Sequence, residues 1–201
     1  MNRRNFLLAT SAVAGGVFAT TVAPRLWSTN RSDQEGLVAS IDKRKLTLDE
    51  LHANWRDFLP PDFDAPSPDD KLVLSAEEWQ ERLNSPLAFD VLRREGTERP
   101  FTSPLNDEKR EGVYVCAGCG LPVFTSAMKY DSGTGWPSFF TTIPGGFEKK
   151  RDFKLIVPRT EYHCTRCGGH HGHVFKDGPK PTRQRWCNNG VSLEFVPREL
   201  A

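Results

Sequence analysis

Two Cys-x-x-Cys pairs constrain the fold of this chain more than any other feature. Cys116-Ala117-Gly118-Cys119 and Cys164-Thr165-Arg166-Cys167 each put two thiols on a tight turn with glycines beside them, Gly118 and Gly120 in the first, Gly168 and Gly169 in the second. Four such sulfurs close a tetrahedral zinc site with no open position, which makes the expected metal, one per chain, structural. With 44 residues between the pairs, the ion would tie two distant hairpins together and add its binding free energy to folding. The same pairs also fit redox-active disulfides or long-range stapling in an oxidising compartment. The chain has 5 cysteines, an odd number, so a complete intrachain set of disulfides is impossible and at least one thiol has another task.

The remaining composition is that of a globular protein: 201 residues, 37% hydrophobic, 16 Gly and 15 Pro. That excludes collagen, a coiled coil, a wholly disordered chain and a multi-span membrane protein. Lys plus Arg number 27 against 26 Asp plus Glu, so the basic excess that neutralises nucleic-acid phosphates is missing and no nucleic-acid partner is expected.

Residues 1–23 read as a targeting segment. Arg3-Arg4-Asn5-Phe6-Leu7-Leu8 opens an uncharged stretch to Ala23 that is too short and too diluted by Thr, Ser and Gly for a stable membrane span. It resembles a twin-arginine export signal, which carries proteins across folded and would deliver this one to the periplasm; a plain secretory signal or an uncleaved anchor is the alternative. Residues 24–70 form a linker and a short helix extension. Thr47-Leu48-Asp49-Glu50 has capping-box spacing, and Leu51, Trp55 and Phe58 predict an amphipathic helix running to the Pro60-Pro61 break. The acidic, Pro-rich stretch from Asp62 to Asp70 marks the boundary of a domain over 71–201.

That domain opens with a second capping box, Ser75-Ala76-Glu77-Glu78, and a helix restarted at Ser85-Pro86 that ends near Gly96. Then short β-branched and aromatic segments, Val113 to Val115, Phe153 to Val157 and Val191 to Val196, alternate with Gly and Pro turns. Helices first and a small antiparallel β core after them are predicted.

With four sulfurs assigned to metal, Cys187 stands alone in Arg185-Trp186-Cys187-Asn188-Asn189. On a strand, Arg185, Cys187 and Asn189 share one face, where the arginine would favour the thiolate and the amide could hold a polar substrate group. An inert buried cysteine is the bland alternative. Gly169-His170-His171-Gly172-His173-Val174-Phe175 is ambiguous by itself between metal ligands, acid–base catalysts and a surface turn. Tyr130-Asp131-Ser132-Gly133-Thr134-Gly135-Trp136-Pro137-Ser138-Phe139 offers glycines for close backbone approach and an indole wall, or merely an aromatic-anchored turn.

In this order, from about Lys71 to Val196 and including Gly96-Thr97-Glu98-Arg99-Pro100-Phe101, these motifs closely resemble the B-type methionine sulfoxide reductases, specific for the R epimer. The resemblance implies a mainly β domain, two small antiparallel sheets forming a barrel-like core with flanking N-terminal helices, and zinc on Cys116, Cys119, Cys164 and Cys167. It implies Cys187 as nucleophile, with Arg185, Asn189, His170, His173 and Asp177 as its catalytic companions, and Trp136 and Phe139 against the substrate. Attack on the sulfoxide sulfur, with a histidine protonating the oxygen, would release methionine and leave a sulfenic acid, repairing oxidative damage to peptides or free methionine. Many members carry a resolving cysteine, whereas here every other cysteine lies in a Cys-x-x-Cys pair. A one-cysteine catalyst served by an external thiol or thioredoxin-like reductant is therefore expected, acting as a monomer. A zinc-ribbon interaction module and an exported thiol peroxidase or disulfide oxidoreductase are the rival readings; neither requires Trp136 together with both histidines.

Overall fold

The computed structural model describes residues 46–152 and 159–199. The export-signal and first-linker readings, and the apolar segment Phe153 to Val157, lie outside the described residues. Leu46–Ala201 groups as one compact unit.

Capping chemistry sets the helices. Thr47 and Glu50 make the expected reciprocal box, with Thr47 Oγ1 accepting from the Glu50 amide at 3.3 Å, and start α1 (Leu48–Ala53). The helix stops earlier than its apolar spacing suggests: Asn54 leaves helical geometry at φ −109, and Trp55–Phe58 continues as a 3-10 turn. Leu51 and Phe58 are nonetheless buried, and His52 Nε2 lies 2.8 Å from Thr141 Oγ1, so this extension packs on the β domain. Ser75 and Glu78 cap α2 (Ala76–Leu83) in the same way, and Ser85 with Pro86 at the first turn starts α3 (Pro86–Arg94). Trp79 of α2 and Ala88, Phe89, Val91 and Leu92 of α3 are the apolar residues these helices bury.

Nine strands follow among the described residues: β1 (Gly112–Cys116), β2 (Pro122–Thr125), β3 (Lys129–Tyr130), β4 (Ser138–Phe139), β5 (Phe147–Asp152), β6 (Arg159–Cys164), β7 (His170–Phe175), β8 (Arg185–Asn188) and β9 (Leu193–Pro197). They form a three-stranded sheet, β2-β1-β9, and a six-stranded sheet, β3-β4-β8-β7-β6-β5, each pairing antiparallel. The barrel-like core expected from the sequence is corrected here. Neither sheet closes, because β2, β9, β3 and β5 remain edges, and the two sheets meet through side chains instead of hydrogen bonds. Phe124 stacks on Phe139 with centroids 3.8 Å apart, and Tyr114 meets Phe139 edge-on at 5.0 Å, locking the smaller sheet onto the larger.

Register then sorts the larger sheet into two faces. Phe139 pairs with Trp186, and Trp186 with Val174, on the face turned to the core. One position along, Tyr130 pairs with Ser138, Ser138 with Cys187, Cys187 with His173, His173 with Glu161 and Glu161 with Lys150. Directly opposed residues share a face in antiparallel pairing, so this polar row crosses all six strands.

Candidate active site

The two Cys-x-x-Cys turns follow β1 and β6, whose last residues are Cys116 and Cys164. The close approaches run across the turns: Cys116 Sγ lies 3.7 Å from Cys167 Sγ, and Cys119 Sγ 3.5 Å from Cys164 Sγ. All four are buried with their sulfurs within 4.8 Å of one another. Sulfurs at about 2.3 Å from a tetrahedral ion sit ~3.8 Å apart, so the cluster fits a structural metal site and is far from disulfide bonding distance. Without a cation the thiols must share protons: a hydrogen bond from Cys116 holds Cys119 well below the ordinary thiol range and pushes Cys116 up in turn. The helices clamp this site through turn carbonyls. Arg82 Nε donates to Gly118 O at 2.6 Å and Arg93 Nη1 to Cys167 O at 2.8 Å, while Arg166 Nη1 donates to Cys119 O at 2.9 Å.

Cys187 stands at the centre of the polar row, half-buried in β8 between Ser138 of β4 and His173 of β7. Gly172 makes this register possible, since a Cβ there would run into the carbonyl oxygen of Cys187. The charge beside the thiol is built as the sequence suggests. Arg185 is buried and held by Asp177 through two parallel bonds of 2.9 Å, with its guanidinium 4.2 Å from the Phe175 ring centroid. That hydrogen bonding holds the Asp177 carboxyl below its usual range. The effect on the thiol differs from expectation: burial pushes Cys187 up from its ordinary value, and the lowering by the Arg185 charge and by hydrogen bonds from Thr134 and Arg185 only partly offsets this. The Thr134 hydroxyl belongs to a relay in which Ser132 Oγ lies 2.8 Å from Thr134 Oγ1 and 2.7 Å from Ser138 Oγ.

The three clustered histidines separate. His173 faces Cys187 directly. His170 is almost wholly buried, 5.5 Å from His173 between ring centroids and with Nδ1 3.5 Å from Glu161 Oε2. Its surroundings push the imidazole down to about 3, chiefly by burial. His171 points into the core, with Nε2 3.3 Å from Cys116 Sγ. Asn188, on the same side, completes a buried network: its carboxamide accepts from Tyr162 Oη at 2.9 Å and donates to Ser192 Oγ at 3.0 Å.

Trp136 is half-buried, and its Nε1 donates to the Glu98 carbonyl at 3.2 Å. Asn189 lies just past the end of β8, and its carboxamide is committed to the fold, accepting from the Glu98 amide at 3.0 Å and donating to His171 O at 3.0 Å. It positions the segment around Glu98 that carries Trp136. Phe139 is a correction: it is fully buried in the inter-sheet aromatic stack, on the face opposite Cys187, and cannot touch a substrate there.

Sequence reasoning missed Glu98, Thr134, Tyr130 and Glu161. Glu98 is 3% exposed and its carboxylate takes the Gly190 amide at 2.5 Å and the Val191 amide at 3.0 Å, so one residue ties the Trp136 loop to the turn after the nucleophile. Burial pushes the Tyr130 phenol up to about 12, and its hydroxyl finds no hydrogen-bond partner among the described residues. Period-2 alternation could have placed Glu161 on a face, but not its neighbours. Beside the Trp136 loop is an open cleft of about 210 Å³ bounded by Phe101, Lys129, Tyr130 and Trp136, with Cys187 outside its walls. A half-buried thiol facing an imidazole, with a guanidinium alongside and the Thr134 hydroxyl hydrogen-bonded to it, can attack a soft electrophile and pass a proton to its leaving oxygen.

Residues 84–197 match the SelR domain family. The chain is similar to the peptide methionine sulfoxide reductase MsrB of Leifsonia xyli subsp. xyli, 46% identical over 139 residues that cover 68% of this chain and 99% of that protein. The peptide methionine sulfoxide reductase MsrB of Pseudomonas savastanoi pv. phaseolicola is 48% identical over 131 residues, 65% of this chain and 99% of the relative. That of Methanosarcina barkeri is 49% identical over 126 residues, 62% and 88%.

Proposed function

The chain belongs to the SelR domain family, and from that premise we propose that it reduces the R epimer of methionine sulfoxide in oxidised peptides to methionine. The observation that carries this reading is the register that sets Cys187 directly against His173, with Thr134 of the loop that carries Trp136 hydrogen-bonded to the thiol. The Trp136 face suits the substrate methyl group. Burial keeps His170 unprotonated at neutral pH, which leaves His173 as the proton carrier. His173 takes the proton of the Cys187 thiol, the thiolate attacks the sulfoxide sulfur and the imidazolium returns that proton to the oxygen; the hydroxyl then passes to the Cys187 sulfur as the substrate S–O bond and the new S–S bond break and methionine departs. Cys187–SH plus sulfoxide thus becomes Cys187–SOH plus thioether, with no proton left over. Arg185, held by Asp177, lowers the cost of the thiolate during attack.

All other cysteines lie in the metal cluster, which supports recycling of the sulfenic acid by an external thiol or a thioredoxin-like protein. The cluster's four thiolates favour zinc, which when bound supplies a cross-link between β1 and β6 and no reactive position. Among the described residues no helix is long and apolar enough to cross a membrane. The Arg3-Arg4 segment supports export to the periplasm, and we propose a monomer.

The test is dithiothreitol-dependent turnover of dabsylated R and S methionine sulfoxide by the metal-loaded chain and its Cys187→Ser variant. Turnover of the R epimer alone, abolished by the substitution at unchanged metal content, is expected. No turnover from folded, metal-replete protein would refute the reading and promote a metal-ribbon interaction module.

A further inference from the structure

We propose that Glu161, His163 and His170 form a second cation site, distinct from the four cysteines, that takes a borderline divalent ion of the zinc class and inhibits the enzyme. The ligand atoms of the three residues lie within 4.8 Å of one another. A point equidistant from three atoms at that spacing is about 2.8 Å from each, so modest side-chain rotation reaches the ~2.0–2.2 Å of zinc–imidazole and zinc–carboxylate bonds. β6 and β7 set this up: His163 pairs with His170, while Glu161 precedes His163 by two positions on the same strand.

The hydrogen bonding of the three residues leaves imidazole nitrogens available to a cation. His163 Nδ1 lies 3.3 Å from Gly168 O, and only as an N–H can it donate to that carbonyl. Nε2 is then the nitrogen turned to Glu161 Oε1, at 3.3 Å, an approach that positive charge between the two atoms, a proton or a metal ion, makes attractive. Among the described residues, neither His163 Nε2 nor either nitrogen of His170 has a hydrogen-bond partner, although His170 is 1% and Glu161 3% exposed. Metal-bound histidines characteristically donate their second nitrogen to a backbone carbonyl, as His163 does. Two imidazoles and one carboxylate, with a water as fourth ligand, suit zinc and its neighbours and would not select a hard ion such as magnesium.

Lys150, Glu95 and His173 adjoin the site. Lys150 Nζ is 3.4 Å from Glu161 Oε1 and 3.5 Å from Glu95 Oε1, and its side chain is 65% exposed. It compensates Glu161 in the metal-free state and can swing to Glu95 when an ion arrives. His173, with its ring centroid 5.5 Å from that of His170, lies toward Cys187. An ion held by His170 would put a positive charge beside the imidazole that has to accept the thiol proton, and this disfavours the imidazolium. The inhibitory consequence rests on the reductase reading; binding does not.

The test uses the full chain carrying one metal equivalent in its cysteine cluster, pre-reduced and freed of added thiol. Cobalt(II) titration should show a second equivalent with visible d–d bands and no added thiolate-to-cobalt charge transfer. Zinc(II) at saturation of that equivalent should cut single-turnover methionine formation at least tenfold, reversibly with chelator. His163→Ala should lose the second equivalent and the inhibition while its metal-free turnover stays unchanged. Lys150→Gln, which removes the competing ammonium and leaves the ligands in place, should tighten the second equivalent at least threefold. A second equivalent that survives His163→Ala, or that shows thiolate charge transfer and vanishes in Cys187→Ser, would overturn the proposal, as would a chain that reduces sulfoxide but binds one equivalent only. A chain that binds the second equivalent through His163 yet reduces no sulfoxide would uphold the site and refute the reductase reading instead.

Discussion

Replacing Glu98 should unfasten the site from behind. Its buried carboxylate is the acceptor for the Gly190 and Val191 amides, at the start of the 3-10 turn Gly190–Ser192 that follows the nucleophile strand. Hydrogen bonds to a charged group contribute about 1.5–3 kcal/mol each, and amides left unpaired in the interior add desolvation cost. Glu98→Ala should therefore destabilise the domain by about 3–5 kcal/mol, a large share of the ~5–15 kcal/mol typical of native proteins. Glu98→Gln keeps one carbonyl acceptor but turns an N–H toward the other amide, and should cost about 2 kcal/mol. Urea unfolding followed by tryptophan fluorescence reads both values. The backbone of Glu98 also holds Trp136 and Asn189, so the folded fraction of Glu98→Gln should lose about tenfold in kcat/KM, equivalent to ~1.4 kcal/mol of transition-state stabilisation. A loss of less than about 1 kcal/mol of stability in Glu98→Ala would refute the reasoning, because solvent or rearranged backbone would then be satisfying the two amides.

Three further outcomes follow from named contacts. Thr134→Val removes a hydroxyl that lowers the Cys187 pKa and should slow iodoacetamide alkylation at neutral pH about tenfold, one pKa unit, while Thr134→Ser retains the wild-type rate. Phe139→Leu should cost about 1–2 kcal/mol in urea unfolding through the lost stack and a small cavity, with KM unchanged; a raised KM at unchanged stability would restore Phe139 to the substrate wall. The third concerns acid. Unfolded His170 binds its proton near 6.5 but the folded chain resists until about 3, so between those values the unfolded state holds more protons. Stability contributed above 6.5 is lost as pH falls through that window, and His170→Asn should make the acid limb of urea midpoint against pH shallower by up to one proton.

What local chemistry controls could be read from the chain directly. Both capping boxes start helices where Ser/Thr and Glu stand three apart, because capping involves only neighbouring residues. The Cys-x-x-Cys turns and the β8 strand around Cys187 carry their meaning in residue type and short spacing, whereas the bidentate Arg185–Asp177 pair came only with the fold. Trp186 and Asn188, on either side of the nucleophile, point to the opposite face as alternation requires, and Asn188 is a satisfied member of the buried network.

Tertiary structure decided everything that depends on register and burial. It set Cys116 against Cys167 and Cys119 against Cys164, turned Phe139 into the core, left both sheets open, and made Glu98 the common anchor of Trp136, Asn189 and the Gly190 turn. It also reversed an electrostatic inference. The sequence by itself determined that an arginine would stand beside Cys187 and favour its thiolate. Only the fold determined that desolvation outweighs that arginine, because a neighbour in sequence sets the sign of one interaction while burial depends on every element packed around the group.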